Sequence, residues 1–256
     1  MEMVQINGIA LEVQRLSAGA DRQLAPIVFL HEGLGSVSMW RDWPGQVCAA
    51  SGRAGVVYSR RGYGNSDPVA DVRGAGRLQP DYMQREAWEV LPALLKALGT
   101  ERPVLLGHSD GGSIALLHAS RHPVAACIAM APHVVVEDIS VRSIEAARDA
   151  YPSEIRGRLK RHHADVDVAF WQWNDIWLDP AFRAFDIRHD CRQIADPLLA
   201  IQGQDDVYGT MRQIEEIAPT QGCFRMAKLA ACGHSPHKDQ RGQTCRLVTE
   251  FLRSLP

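Results

Sequence analysis

The chain contains no uninterrupted stretch of 18 or more apolar residues, so no membrane-spanning helix is expected. It also lacks the basic start and apolar run of a signal peptide, since Met1-Glu2 leads directly into a strand-like segment. Charge of neither sign dominates. With 28 Lys and Arg against 30 Asp and Glu, the net charge of -2 gives no electrostatic case for nucleic acid or an anionic membrane as partner. The six cysteines, Cys48, Cys127, Cys191, Cys223, Cys232 and Cys245, form no C-x-x-C pair and fit neither a zinc site nor a disulfide framework. They are expected as buried or partly buried free thiols, and a reducing cytoplasm is the expected home. Internal repeats and low-complexity linkers are missing too, which excludes solenoids and tethered modules. What is present is 256 residues, 46% of them hydrophobic. A chain of that length folds as one large domain and buries roughly 70–75% of its unfolded surface without staples.

The patterning then alternates. Met3–Leu16 swaps apolar and polar residues around Asn7-Gly8, a hairpin signal. Short apolar runs at Pro26–Leu30, Gly55–Ser59, Pro103–Leu106, Val124–Met130, Pro197–Ile201 and Cys223–Leu229 read as strands, most of them covered on both faces. Between them lie helical patterns at Met39–Ala50, Asp81–Leu98, Gly111–His122, Met211–Ile217 and Gln240–Leu255, with Pro92 predicting a kink or restart in the second. Strand alternating with helix is the signature of a parallel α/β sheet. The rhythm breaks between about His133 and Asp190, where a helical stretch carries Phe170, Trp171, Trp173, Trp177, Phe182 and Phe185. This stretch reads as a lid inserted late in the sheet.

Gly107-His-Ser-Asp-Gly111 matches G-x-S-x-G, follows an apolar strand and precedes a helix. That is the strand–turn–helix setting in which two glycines allow a strained turn and expose the serine hydroxyl, here Ser109. A hydroxyl needs a base to become a nucleophile. Gly233-His234 follows the final strand, which nominates His234, with His237 a distant second. His31, His108 and His118 are expected to support packing or hydrogen bonding, and His122, His162 and His163 to be solvated. The third member, a carboxylate that orients the imidazole, is sought at Ile201-Gln-Gly-Gln-Asp-Asp206, where the spacing from Gly203 favours Asp206 and leaves Asp205 as fallback.

With Leu30-His-Glu-Gly-Leu-Gly-Ser36 and Arg61-Gly-Tyr-Gly-Asn-Ser66, these segments resemble five landmarks of the α/β-hydrolase family, in order along nearly the whole chain. The resemblance implies an eight-stranded, mostly parallel sheet flanked by helices, with a core at 1–132 and 191–256 and a helical cap at 133–190, between the sixth and seventh strands. It implies an oxyanion hole from two backbone amides, one at Asp110 and one in the loop where the family has His-Gly-x. Here Glu32 takes the glycine position; Gly33 then aligns with the donor, and Leu34 stays open. The elbow Ser-Asp-Gly-Gly is also similar to that of valacyclovir-activating hydrolases, in which the aspartate recognises an amino group. The simpler expectation is that Asp110 caps the following helix. Leu34, Trp171 and Trp177 are expected to contact substrate. The implied reaction is hydrolysis of a small-molecule ester or lactone through an acyl-enzyme. Thioester, amide or carbon–carbon bond hydrolysis and a non-catalytic receptor role are the other readings. Neither metal nor cofactor is called for, and a monomer or homodimer is expected.

Overall fold

The structure, a computed structural model, describes residues 1–17 and 19–255. Eight strands form one sheet: β1 (Glu2–Ile6), β2 (Ile9–Leu16), β3 (Ile27–Leu30), β4 (Gly55–Tyr58), β5 (Val104–His108), β6 (Ala126–Met130), β7 (Leu198–Gly203) and β8 (Phe224–Leu229). Their spatial order is β1-β2-β4-β3-β5-β6-β7-β8, antiparallel through β1, β2 and β4 and parallel from there onward. The hairpin turns where expected, because Asn7 and Gly8 both hold positive φ (51° and 81°).

Helices α1 (Trp43–Ser51), α2 (Tyr82–Arg85), α3 (Leu91–Leu98), α4 (Asp110–Ala119), α5 (Asp138–Ala150), α6 (Arg156–Leu159), α7 (Val166–Trp177), α8 (Arg188–Cys191), α9 (Arg212–Glu215), α10 (Pro236–Asp239) and α11 (Arg241–Arg253) surround the sheet or rise above it. Because a strand alternates its side chains, β3 feeds two cores. Ile27 and Phe29 pack with Trp40, Trp43 and Phe251 on one face, while Val28 and Leu30 pack with Leu91, Leu94 and Ile114 on the other. Each such fully buried side chain contributes about 1.5–3 kcal/mol. Helices α5 to α8 occupy the connection between β6 and β7. No helix among the described residues is long and apolar enough to cross a membrane.

Two local expectations change, and the restart expected at Pro92 is found. The single helix over Met39–Ala50 is instead a 3₁₀ turn (Val37–Trp40) and α1, separated at Arg41, whose φ of 54° no helix accommodates. Pro44 then falls in the first turn of α1, where its missing N–H is harmless. Between α2 and α3 the chain forms a π-turn over Glu86–Val90: the Leu91 amide donates to the Glu86 carbonyl, which frees Pro92 from the bond it cannot make. Cys223, expected buried or partly buried, is exposed because it stands just ahead of the edge strand β8.

Candidate active site

β3 and β5 are adjacent although other elements separate them in sequence, and their C-terminal ends open the crevice where open α/β sheets hold ligands. At the end of β5, Ser109 adopts φ 54°, ψ -121°, a strained conformation that turns the chain sharply into α4. Two glycines make that turn possible by contact. A Cβ on Gly107 would lie 2.0 Å from the Gly111 carbonyl oxygen, and one on Gly111 would lie 2.1 Å from that of Leu30.

The Ser109 hydroxyl donates to His234 Nε2 at 2.9 Å. His234 Nδ1 donates to Asp206 Oδ2 at 2.8 Å and to Oδ1 at 3.0 Å. The carboxylate is further held by Gln202 Nε2 (2.8 Å) and the Tyr208 amide (2.8 Å). Burial alone pushes the Asp206 carboxyl up, but the bond from His234 and the Tyr208 amide outweigh it and hold the group below the usual aspartate range. Asp205 is exposed and makes no bond to His234 among the described residues. His237, the second choice of base, is walled in: its ring lies 4.8 Å from Trp40 and 4.8 Å from His108.

Around this chain lies a cavity of about 120 Å³. It is lined by Gly33, Leu34, Asp110, His133, Trp173, Trp177 and Tyr208, among others. Gly33 and Asp110 border it, and the latter opens α4, where the first amides of a helix have no partner within it. Trp171 is corrected here. Helix α7 points it away from the cavity, beneath the Arg73 guanidinium 4.0 Å above its ring, while Trp173 and Trp177, four residues apart, share the inward face. Phe170, Phe182 and Phe185 are buried in the main core cluster, with the Phe182 ring 5.6 Å from that of Tyr82. A larger concavity of about 350 Å³ lies beside the N-terminal hairpin and holds none of Ser109, His234 or Asp206.

Asp110 is also corrected. Its side chain makes no capping bond; instead Oδ2 accepts from the Tyr82 hydroxyl at 2.8 Å and lies 3.8 Å from Arg60. Burial raises its pKa, against the pull of Arg60 and Tyr82. Arg60 itself donates to the His31 and Glu32 carbonyls at 2.7 and 3.2 Å, so this buried cation ties the loop after β3 to the elbow.

Glu32 occupies the rim of the cavity, 3.6 Å from His108 Nδ1 and 3.4 Å from Lys238 Nζ. Burial opposes its ionisation, but Lys238 and His108 hold the carboxyl well below its ordinary range. His108 Nε2 in turn donates to the His234 carbonyl at 2.7 Å. His163, expected solvated, is buried: it accepts from the Gly64 amide at 3.0 Å and donates to the Leu34 carbonyl at 3.1 Å, pinning the loop that carries Gly33. Sequence reasoning missed Trp173, His133 and Tyr208. The i, i+4 spacing of Trp173 and Trp177 could have revealed the first, whereas nothing local marks His133, kept neutral by burial with its pKa pushed down to about 3.

A family model described as the alpha/beta hydrolase family matches residues 27–247. The chain belongs to the α/β-hydrolase family. It is 29% identical over 209 residues to the carbamate-hydrolase candidate RutD of Agrobacterium fabrum, covering 72% of this chain and 76% of that one. Among solved structures it is similar to an enol-lactonase from Burkholderia xenovorans, with TM-score 0.74 and 20% identity over 99% of this chain and 100% of the other. A thermophilic esterase from Thermogutta terrifontis aligns with TM-score 0.72 and 17% identity over 99% and 98% of the two chains. At those identities the structural likeness speaks for the fold of this α/β-hydrolase and leaves its substrate to the site.

Proposed function

We propose that this α/β-hydrolase cleaves a small carboxylic ester or lactone through an acyl-enzyme on Ser109. The observation that carries the reading is the continuous chain Ser109 Oγ, His234 Nε2, His234 Nδ1 and Asp206, with bonds of 2.9 and 2.8 Å. In the first step His234 takes the hydroxyl proton as Ser109 Oγ attacks the carbonyl carbon, and the imidazolium is stabilised by Asp206. The Gly33 and Asp110 amides receive the developing oxyanion, with the positive end of α4 beneath it. His234 passes its proton to the leaving alcohol, then draws one from water, which attacks the acyl carbonyl and releases the acid.

A cavity of about 120 Å³ is small against the roughly 300–1,000 Å³ of drug-sized sites, which favours short acyl groups. Buried Arg60 beside Asp110 already faces the carboxylate that a substrate ammonium would seek, which favours uncharged groups next to the scissile bond. A carbamate is the second reading, favoured by the likeness to the RutD protein. The test is steady-state hydrolysis of p-nitrophenyl esters from acetate to laurate beside Ser109→Ala, with p-nitrophenyl carbamates in parallel. Turnover that favours acetate or butyrate and vanishes in the variant supports the reading. Turnover unchanged in Ser109→Ala refutes it.

A further inference from the structure

The two segments that flank the reactive cavity run on into a second one. The loop after β3 supplies Glu32, Gly33 and Leu34 to the first cavity and Met39, Trp40 and Arg41 to the second. The segment after β8 supplies His234 and Ser235 to the first, then His237, Lys238 and Arg241 to the second. His162, between α6 and α7 of the helical connection, also lines the second cavity, which measures about 360 Å³.

Its walls concentrate positive charge in a chain whose net charge is -2. Arg41, Lys238 and Arg241 surround His162, with Arg161 next to it in sequence. Only two of these cations are balanced locally: Lys238 faces Glu32 at 3.4 Å, and Arg241 binds Asp42 at 2.6 Å. Arg41 and Arg161 pair with no carboxylate among the described residues. Burial lowers the His162 pKa first, and the fields of Arg161, Arg41 and Lys238 lower it further against that of Glu32. Arg41 also sits at φ 54°, ψ -133°, strained backbone at a position where no turn glycine has been used. His162 Nδ1 and Ser38 Oγ, 2.9 Å apart, fix the wall between the helical connection and the core.

We propose that this cavity is an anion subsite that receives a carboxylate or phosphate carried by the substrate at its end remote from the scissile bond. The inference rests on the ester-hydrolase reading and adds to it a substrate class: short acyl or alcohol groups at Ser109, with an oxyanion at the rim. An anion there pairs with Arg41, the wall cation with no carboxylate partner, within the field of Arg161 beside His162.

The experiment compares p-nitrophenyl monoesters of glutaric to suberic acid with their methyl-capped, uncharged counterparts, in the intact protein and in Arg41→Gln/Arg161→Gln. The free acids are expected to be preferred, and the double variant to lose roughly tenfold of that preference through KM. Turnover of p-nitrophenyl acetate should stay unchanged. Inorganic phosphate should compete with the acid esters and leave the acetate untouched. A preference that survives in the double variant overturns the proposal. So does phosphate that alters acetate turnover to the same degree, which marks a free-anion effector site instead. If no ester is turned over, the hydrolase reading fails by itself; the subsite is then judged by phosphate-induced shifts of the His162 ring resonances, whose absence overturns it.

Discussion

Replacing Gly33 by alanine tests how the proposed oxyanion loop is held. A Cβ built on Gly33 lies 2.2 Å from Trp173 Nε1 and 2.3 Å from Cδ1 of the same ring. Ordinary contact begins near 3.4 Å, so the loop or the indole must yield by at least 1.2 Å against that 2.2 Å approach. The indole has little room, since Trp173 is 7% exposed and packs 6.0 Å from Phe170. Backbone strain plays no part, because Gly33 is not among the glycines at positive φ. A displacement of about 1 Å at a reacting centre costs on the order of 100-fold. Loss of an oxyanion donor costs about 2.7–4 kcal/mol. Gly33→Ala is therefore expected to lower kcat about 100-fold or more on p-nitrophenyl acetate, with far less effect on KM. Removing the obstacle in Gly33→Ala/Trp173→Ala should return much of the loss relative to Trp173→Ala alone. An unchanged kcat in Gly33→Ala, or an equal loss in the Trp173→Ala background, would refute the reasoning.

Asp206→Asn should lower kcat by roughly 10⁴-fold, since the imidazole loses the partner that sets its tautomer. Because the folded Asp206 carboxyl titrates below its unfolded range near 3.9, its stabilisation is present above that pH and fades as pH falls through the folded value. The gap in Tm between the protein and Asp206→Asn should accordingly shrink toward acid pH, and a constant gap would contradict it. Gly111→Ala drives a Cβ to 2.1 Å from the Leu30 carbonyl oxygen, with no flexible neighbour to give way. Soluble yield and near-UV circular dichroism should collapse together, and a native-like spectrum would count against the contact. Exposed Cys223 should be the first thiol alkylated by iodoacetamide, without loss of turnover, whereas burial pushes the Cys127 and Cys191 thiols up and protects them.

Much of this was legible beforehand because it depends on local rules. The strand–Gly-x-Ser-x-Gly–helix order requires a tight turn wherever it occurs, so Ser109 could be placed from six residues. Apolar runs such as Ile27–Leu30 can be satisfied only by a sheet covered on both sides, and all four of those residues are buried. Where distant elements meet, sequence fell short. Asp110 seemed a helix cap until Tyr82 and Arg60, from two other elements, were seen to take its carboxylate. His163 sits among Arg161, His162 and Asp165, which reads as surface; the amide of Gly64, 99 positions away, makes it a buried strut. Trp171 and Trp173 are equally aromatic, and only the rotation of α7 decides which faces the cavity.

The π-turn at Glu86–Val90 fixes the rotational register of everything before it. One residue of an α-helix corresponds to about 100° of rotation. A regular α-helix wound over the same residues would swing Tyr82 about that far around the axis and take its hydroxyl off Asp110. Pro92 would simultaneously be forced against the Trp88 carbonyl. The wide turn between Tyr82 and Leu91 is thus set from beside the reactive cavity, and winding this outwardly ordinary helix more tightly would be felt next to Ser109.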